Sequence, residues 1–338
     1  MRPPLDRIAL ISDVHGNLTA LEAVLDDIEA RGITRIFNLG DYVGKGPRGR
    51  EVIEVCRERC EVNILGNWDD FLPDPDRTFD TPTKAFAWWL EQLSPGQGAW
   101  LRALPFSHDF LLSGRRVRLY HASSGTVHHR VRFDHDEAEF LSMFANTPAT
   151  GDGPEPTVVG YGDTHDAYYE VDRDRRTLFN TGSVGNSMDD PTPVYVILEG
   201  VYGSEAEAPF SIQFVRVPYD VQAELAVARE MGMPEYAGYE SEILHGVYRG
   251  EMNEPGGPGY HRRPRETAPA EAPTDPHSGK RRRSTVHRPA KSPRHAGCPI
   301  ATVVAVTSFP AAARRVRDTD LDLLRRMHML RGVARFLV

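Results

Sequence analysis

The chain has 338 residues, of which 40% are hydrophobic, and its formal net charge is −8 at pH 7. These values suit one large domain or two modest ones with a real core, and they exclude a wholly disordered chain. No apolar run approaches the roughly 20 residues that span a bilayer, and no segment has a basic start followed by an apolar core. We therefore expect a cytoplasmic protein that does not cross a membrane.

The chain contains three cysteines, Cys56, Cys60 and Cys298. They cannot all pair with one another, and the spacing of Cys56 and Cys60 is one helical turn, which is not typical of a zinc knuckle. Cysteines of this kind are typical of reduced thiols in a reducing compartment.

The first third of the chain predicts alternating strands and helices. The apolar run at residues 8–11 suits a strand buried on both faces. Apolar residues then recur at spacings of three and four from Leu18 to Ile28, which indicates an amphipathic helix with Asn17 as its N-cap. Strands at residues 35–39 and 62–65, with a helix near residues 52–55, continue the alternation. The right-handed crossover rule then favours a parallel sheet.

The second half of the chain has a different pattern. Residues 73–105 are richer in Pro and Trp and predict a helical insertion. Short strand-like runs follow at residues 109–112, 117–120, 157–159, 168–171, 177–179, 194–198 and 212–217, with one helix near residues 136–144. Two further helices are predicted at residues 221–229 and 240–248. Two sheets packed face to face with helices outside would accommodate both halves.

Residues 251–338 differ from the preceding domain, residues 1–250, in composition. They are rich in Pro and Arg, and residues 261–338 hold 17 Lys and Arg but 6 Asp and Glu. Such a tail buries too little apolar surface to offset its ordering entropy, so we expect it to be largely disordered, at least to about residue 298. Residues 300–309 and 321–338 could form a short strand and a basic helix. Its charge could bind nucleic acid, although a solvated extension is the simpler interpretation.

Side chains that can bind metal ions follow several of the predicted strands. Any one of them has a structural explanation, since an Asp can cap a turn and a His can be satisfied in a core. Parallel strands, however, bring their carboxyl ends to one edge of a sheet. Oxygen and imidazole ligands without thiolate suit Mn, Fe, Zn or Ni. The residues are Asp13, His15, Asp41, Asn67, His121, Asp163 and His165.

The segments that contain these residues resemble the calcineurin-like metallophosphoesterases. They are residues 13–17 (DVHGN), 40–47 (GDYVGKGP), 66–69 (GNWD), 121 (H), 162–165 (GDTH) and 180–185 (NTGSVG). The resemblance covers about residues 6–250 and implies an α/β fold, a four-layer αββα sandwich of two mixed sheets flanked by helices. It also implies two divalent metal ions. The first would be held by Asp13, His15, Asp41 and His165, and the second by Asp41, Asn67, His121 and Asp163, with Asp41 as the bridge.

The same resemblance implies a phosphoester hydrolase in which a hydroxide that bridges the two ions attacks phosphorus. Asp41, Asn67 and His121 would be the catalytic residues, and manganese is the preferred metal, with Fe, Zn, Ni or Co as alternatives. Asp163 stands where the family usually has His. Trp68 stands where many members have a His that protonates the leaving oxygen, and an indole has no proton to transfer. Good leaving groups should therefore be preferred.

A narrower resemblance involves residues 66–70, 218–225 and 239–241. They are similar to the bacterial branch that includes small phosphodiesterases and diadenosine tetraphosphate hydrolases of the asymmetrical kind. We therefore expect phosphodiesters or dinucleoside polyphosphates as substrates, with Lys45, Arg48 and Trp68 in contact with them. Alternatives are a phosphomonoesterase or protein phosphatase, a catalytically weak metal-binding regulatory protein, and a nuclease anchored by the basic tail. The sequence leaves the oligomeric state open.

Overall fold

The computed structural model of the chain describes residues 4–73 and 84–249. The expectations for residues 251–338, including Cys298, lie outside the described residues. The strands are β1 (Asp6–Ile11), β2 (Arg35–Asn38), β3 (Val62–Asn63), β4 (Ser107–Leu112), β5 (Arg115–Tyr120), β6 (Val158–Tyr161), β7 (Tyr168–Val171), β8 (Thr177–Asn180), β9 (Val194–Gly200) and β10 (Ser211–Arg216). The helices are α1 (Leu18–Ala30), α2 (Gly49–Arg59), α3 (Asn67–Phe71), α4 (Lys84–Glu91), α5 (Pro95–Arg102), α6 (Glu137–Ser142), α7 (Val221–Glu230) and α8 (Tyr236–His245).

Strand β1 lies at the centre of the first sheet, whose order is β10-β9-β1-β2-β3. β1, β2 and β3 are parallel, while β9 and β10 run antiparallel to their neighbours. Ile8 and Leu10 face the second sheet, whereas Ala9 and Ile11 contact the helices on the outer face, and all four are fully buried. A strand with both faces covered explains the unbroken apolar run at residues 8–11.

The second sheet has the order β4-β5-β6-β8-β7. Its three central strands, β5, β6 and β8, are parallel, and the two edge strands are antiparallel to them. Phe110, Leu119 and Phe179 pack against Phe37 and Leu39 of the first sheet. The prediction of two mixed sheets packed face to face is confirmed.

Helices cover both outer faces of this pair of sheets. Leu21 and Val24 of α1 pack with the first sheet, and Phe140 of α6 packs with Tyr120 and Tyr161 of the second. Asn17 caps α1, because its side chain accepts the backbone N–H of Ala20 at 3.0 Å. The four-layer αββα sandwich is therefore confirmed. In the described ranges, no helix combines the length and apolar character needed to cross a membrane.

Three predicted elements differ from the structure. β3 has two residues rather than four, because Leu65 N donates to the Pro105 carbonyl and leaves the ladder. Helix α3 begins at Asn67, where only a polar cluster was predicted, and its five residues are too few to show a helical period. α8 starts at Tyr236 instead of residue 240 and ends before Gly246, whose φ of +64° favours glycine.

The described part of the predicted helical insertion, residues 84–105, contains the helices α4 and α5.

The cysteine prediction can be compared with the structure at two positions. Cys56 is buried in α2 and Cys60 directly follows that helix, and neither forms a disulfide within the part of the chain that the structure describes.

Candidate metal centre

The carboxyl ends of β1, β2, β5 and β6 meet at one edge of the sandwich. Here the structure brings together all seven residues that the sequence predicted as metal ligands. Asp41 lies in the middle, with its Oδ2 3.3 Å from His15 Nε2 and its Oδ1 3.5 Å from His121 Nε2. Asp13 Oδ1 lies 3.2 Å from His165 Nε2 on one side of this pair. The predicted ligands thus form one contiguous cluster around a shared carboxylate.

We use the name first subsite for Asp13, His15, Asp41 and His165. All four side chains are almost completely buried. Asp13, His15 and His165 each offer an atom within 4.8 Å of the others, which is a spacing that one metal ion can bridge. Burial raises the pKa of Asp13, but the interactions with His165, His121 and Ser12 together outweigh it and bring the pKa to about 2. Asp13 is therefore an anion at neutral pH.

We use the name second subsite for Asp41, Asn67, His121 and Asp163. His121 Nε2 lies 3.9 Å from Asp163 Oδ1, and Asn67 Nδ2 donates to the same oxygen at 3.1 Å. Although burial alone would lower it, the carboxylate of Asp41 and those of its neighbours raise the pKa of His121 to about 10. The same negative charge would stabilise a bound cation at this position.

All three histidines of the cluster are oriented by the backbone. Each Nδ1 contacts a carbonyl oxygen, which can only accept, so each Nδ1 carries the hydrogen and donates it. Each Nε2 is therefore directed into the cluster, as in metal sites where a second bond fixes the imidazole tautomer. The pairs are His15 with Val43 at 3.0 Å, His121 with Leu39 at 2.9 Å and His165 with Asn186 at 2.5 Å.

Several polar atoms of the cluster are arranged as ligands of a metal ion would be, and not as hydrogen-bond partners of one another. His15 Nε2 and His165 Nε2 lie 3.1 Å apart, and two such lone pairs repel unless a cation or proton lies between them. Asp13 Oδ1, His121 Nε2 and Asn67 Oδ1 are buried and have no hydrogen-bond partner among the described residues. Since unsatisfied buried polar atoms are costly, the residues present fit divalent metal ions.

The backbone at the ligands is strained in a consistent way. Asp13, His15, Asp41, Asp163 and His165 all have positive φ values, between 48° and 64°. Residues other than glycine adopt this left-handed region at a cost of order 1 kcal/mol or more each, and such strain concentrates at functional sites. The surrounding fold therefore holds these turns in conformations that the isolated chain would avoid.

Asp69 of α3 fixes the loop that carries Asp41. Its Oδ2 accepts the backbone N–H of Asp41 at 2.7 Å and of Gly66 at 3.0 Å, and its Oδ1 accepts that of Tyr42 at 3.0 Å. Burial and the neighbouring Asp41 carboxylate raise the pKa of Asp69 to about 8. Gly66 approaches Asp41 so closely that a Cβ would overlap the Asp41 carboxylate. Asp69 therefore positions Asp41 and the start of α3 relative to each other.

A sequence model of the calcineurin-like phosphoesterase superfamily domain matches residues 7–201. This range contains all seven predicted ligands, and it covers more than half of the chain. The chain belongs to the calcineurin-like phosphoesterase superfamily. Phosphoester hydrolysis and dependence on metal ions come with this family, so the predictions of a metallophosphoesterase and of a hydrolase are confirmed. The identity of the metal is not part of that finding.

Three relatives illustrate how this phosphoesterase compares with known proteins. Uncharacterized protein MJ0912 of Methanocaldococcus jannaschii is 30% identical over 238 residues, which are 68% of this chain and 95% of that protein. A metallophosphoesterase structure from Sphaerobacter thermophilus is 27% identical, with a TM-score of 0.56, and the match covers 72% of this chain and 99% of that one. A symmetrical bis(5'-nucleosyl)-tetraphosphatase of Paracidovorax citrulli is 27% identical over 157 residues, 41% of this chain and 56% of that protein.

The three residues predicted to contact the substrate, Lys45, Arg48 and Trp68, lie in different surroundings. Lys45 is buried against the first subsite, where its Nζ lies 3.3 Å from His165 Nε2. Arg48 is engaged elsewhere, because its guanidinium donates to Glu224 and to Thr19. The structure thus gives Arg48 a role in joining α2 to α7, and it brings Lys45 but not the guanidinium of Arg48 to the ligand cluster.

Trp68 forms part of the wall next to the first subsite. Its ring makes an edge contact with His15, with 5.7 Å between centroids, and a second edge contact with Trp89 at 5.5 Å. Gly44 packs so tightly on the indole that a Cβ there would overlap it. These contacts show that Trp68 packs as part of the wall beside the first subsite. Stacking of a substrate base on Trp68 stays a prediction.

Sequence analysis missed one residue of the site, Arg130. Its guanidinium binds both oxygens of Asp163, with Nε to Oδ2 and Nη2 to Oδ1 both at 3.0 Å. Arg130 lies in the loop after β5, 33 positions before Asp163, and no periodicity or family segment marks it. The sequence signal for such a partner was Asp163 itself. It places a carboxylate where the family usually has His, and a buried carboxylate requires a cationic partner.

Proposed function

We propose that this chain uses two divalent metal ions, preferably manganese, to hydrolyse phosphodiesters or dinucleoside polyphosphates. The observation that carries the proposal is the convergence of three inward-directed Nε2 atoms on a buried carboxylate cluster. The first ion would be held by the first subsite and the second by the second subsite. Asp41 contacts histidines on both sides and would be shared between them.

Bound ions would supply an activated water and charge neutralisation for the phosphoryl group, so no nucleophilic side chain is needed. The chain adds two cations of its own at the cluster. Lys45 Nζ donates to Asn186 Oδ1 at 3.2 Å and lies beside His165, and Arg130 lies beside Asp163. These groups would orient the phosphate oxygens and neutralise their charge, which is the usual role of Lys and Arg in phosphate binding.

Two observations support the preference for good leaving groups. Trp68 follows Asn67 directly, and its indole cannot donate a proton to a departing alkoxide. The relative from Paracidovorax citrulli is named as a symmetrical bis(5'-nucleosyl)-tetraphosphatase, and a bond cleaved within a polyphosphate has a phosphate as its leaving group, which needs less protonation than an alkoxide. That relative is of the symmetrical kind and shares 56% of its length with this chain, so the substrate class is part of the proposal.

The proposal is tested by comparing substrates with each candidate metal. Metal-stripped protein, reloaded with Mn, Fe, Zn, Ni or Co, is given an aryl monoester, an aryl diester, diadenosine tetraphosphate and an oligonucleotide. We expect the diester and the dinucleotide to be hydrolysed fastest, with Mn most effective. We also expect Asp41→Asn to lower kcat/KM by about 1,000-fold or more, about 4 kcal/mol, because both subsites lose their shared ligand.

Asp70→Asn is a matched control, since Asp70 lies on the same short helix, α3, but pairs with His128 at the surface. Its activity should equal that of the unchanged protein. Full activity in metal-free protein or in Asp41→Asn would contradict the two-ion proposal. Faster hydrolysis of the monoester would favour the alternative of a phosphomonoesterase.

A second candidate is a metal-binding regulatory protein with weak catalysis. The pairing of Asp163 with Arg130 favours it, because a carboxylate neutralised by an arginine is a poorer metal ligand than the usual histidine. Stoichiometric metal binding without hydrolysis of any of the four substrates would support this candidate and exclude the first.

A further inference from the structure

The second subsite differs from the first in how one of its residues, Asp163, is bound. Asp163 is 4% exposed, and both of its oxygens are hydrogen-bonded to the guanidinium of Arg130. Asn67 Nδ2 also donates to Asp163 Oδ1. Two parallel N–H···O bonds between a guanidinium and a carboxylate are among the strongest polar contacts in proteins. Asp163 therefore has a cationic partner already in place.

Within residues 4–73 and 84–249, no comparable competitor contacts the first subsite. In these ranges Asp13 Oδ1 has no hydrogen-bond partner, while Asp13 Oδ2 accepts from Ser12 Oγ at 2.6 Å. Lys45 reaches this subsite, but it makes a single 3.3 Å contact with Nε2 of His165. Lys45 also has Asn186 Oδ1 as a second acceptor, so moving it away from His165 leaves it with a partner.

Resting on the two-ion centre proposed above, we propose that Arg130 competes with a metal ion for Asp163. The first subsite then binds its ion tightly, and the second subsite binds an ion only in exchange for the guanidinium. Either cation balances the charge of the carboxylate, so the exchange does not leave Asp163 buried without a partner. The competition follows from the residue at position 163, because a neutral histidine there would not attract an arginine.

The Arg130 side chain can move towards solvent when a metal ion displaces its guanidinium. The side chain of Arg130 is 46% exposed, whereas that of Asp163 is 2% exposed, so Arg130 can turn away while Asp163 stays in place. A guanidinium next to the cluster presents a planar set of donors that suits phosphate oxygens. Arg130 would then contact Asp163 when the second ion is absent and the phosphate of the substrate when it is present.

The proposal is tested by titrating metal-stripped protein with Mn²⁺ in a calorimeter and by measuring bound metal after dialysis. For the unchanged protein we expect two ions per chain, with the second dissociation constant at least about tenfold larger than the first. Arg130→Met should lower the second constant by about tenfold, in the range found when residues around metal ligands are altered, and should leave the first constant unchanged.

Two further variants separate competition from general charge effects. Arg130→Lys keeps the positive charge but loses the bidentate contact, so its second constant should lie between those of the unchanged protein and Arg130→Met. Arg176→Met is the matched control, because Arg176 is 31% exposed and pairs with Asp172 at 2.8 Å in the β7–β8 hairpin. It should alter neither constant.

Three outcomes would overturn the proposal. Equal dissociation constants in the unchanged protein would show that Arg130 does not hinder the second ion. An unaltered second site in Arg130→Met would show that Arg130 does not compete with the ion, and a weaker one would show that Arg130 supports metal binding instead. Absence of any metal binding would overturn both this proposal and the proposed function. If the predicted order of constants is found without hydrolysis of the four substrates, the competition stands and the proposed function fails.

Discussion

The two sides of Asp41 are built from the same kinds of ligand but are supported differently. Behind the first subsite lies a buried polar network, in which Asn186 accepts from Lys45 and donates to Glu242, and Glu242 pairs with Arg249. The second subsite is bounded by Arg130, a side chain that is nearly half exposed. This difference in support underlies our proposal that only the second subsite exchanges its cationic partner for a metal ion.

The largest effect is expected from breaking the network behind the first subsite. Glu242 is fully buried and accepts from Arg249 Nη2 at 2.6 Å, from Arg249 Nε at 2.9 Å and from Asn186 Nδ2 at 3.1 Å. Glu242→Ala would leave the mostly buried Arg249 without its main partner. We expect the free energy of unfolding to fall by about 3–5 kcal/mol, measured by urea denaturation.

Glu235→Ala is the control, because Glu235 contacts the same arginine at 3.5 Å but is 43% exposed. It should cost less than about 1 kcal/mol. Equal losses in the two variants would show that the buried Glu242–Arg249 pair is not what stabilises the network behind the first subsite. The pKa of Glu242 gives a second readout: burial opposes the shift, but Arg249 lowers the pKa below its ordinary value of 4.5. The Glu242–Arg249 pair therefore stabilises the protein above pH 4.5. This stabilisation is lost as the pH falls through the lowered pKa of Glu242. Glu242→Gln should remove this part of the dependence of the unfolding free energy on acid pH.

An intermediate effect is expected at Asp69, which connects the two subsites. Asp69→Ala would leave three buried backbone N–H groups, those of Asp41, Tyr42 and Gly66, without their acceptor. We expect a loss of about 2–3 kcal/mol in the free energy of unfolding, because unpaired buried donors are costly. Weaker binding of both metal ions should accompany it, since the loop of Asp41 and the start of α3 move apart.

The matched variant for Asp69 is Asp70→Ala on the next position of α3. Asp70 pairs with His128 at 2.7 Å, but both side chains are at least 40% exposed, so this pair should contribute less than about 1 kcal/mol. If Asp69→Ala weakened one subsite only, the role of Asp69 as the link between the two sides would be wrong.

Much of the first subsite could be predicted from the sequence, because its signals are local. The apolar run before Asp13 and His15 marks a strand, and a strand that is covered on both faces must deliver the residues after it to the sheet edge. Lys45 and Arg48 show where such reasoning ends. They are three positions apart in one loop, yet only the fold decides that one reaches His165 and the other reaches Glu224.

The second subsite was harder to predict because its key contact spans the chain. Arg130 and Asp163 lie in loops after different strands, β5 and β6, and neither loop has a repeating pattern. The departure from the family pattern at Asp163 was visible in the sequence, but the residue that compensates for it was not. Helix α3 was missed for a related reason, since Asp69 stabilises its start through contacts with a loop 27 to 28 positions away.

The smallest effect is expected at Trp68, which lies next to the first subsite. A histidine there could protonate the leaving oxygen, so Trp68→His should raise kcat/KM about tenfold, or about 1.4 kcal/mol, for esters with poor leaving groups and leave good ones unchanged. We expect this increase in kcat/KM to be smaller than that from a general acid in a site shaped for it. The surroundings of Trp68, which include Gly44 and Trp89, fit an indole and would not hold an imidazole in one orientation. Trp68→Phe, which also removes the indole but adds no proton donor, is the control and should show no dependence on the leaving group. If both variants changed all esters by the same factor, Trp68 would act only as a wall, and the preference for good leaving groups would have to come from the Asp163–Arg130 side of the centre.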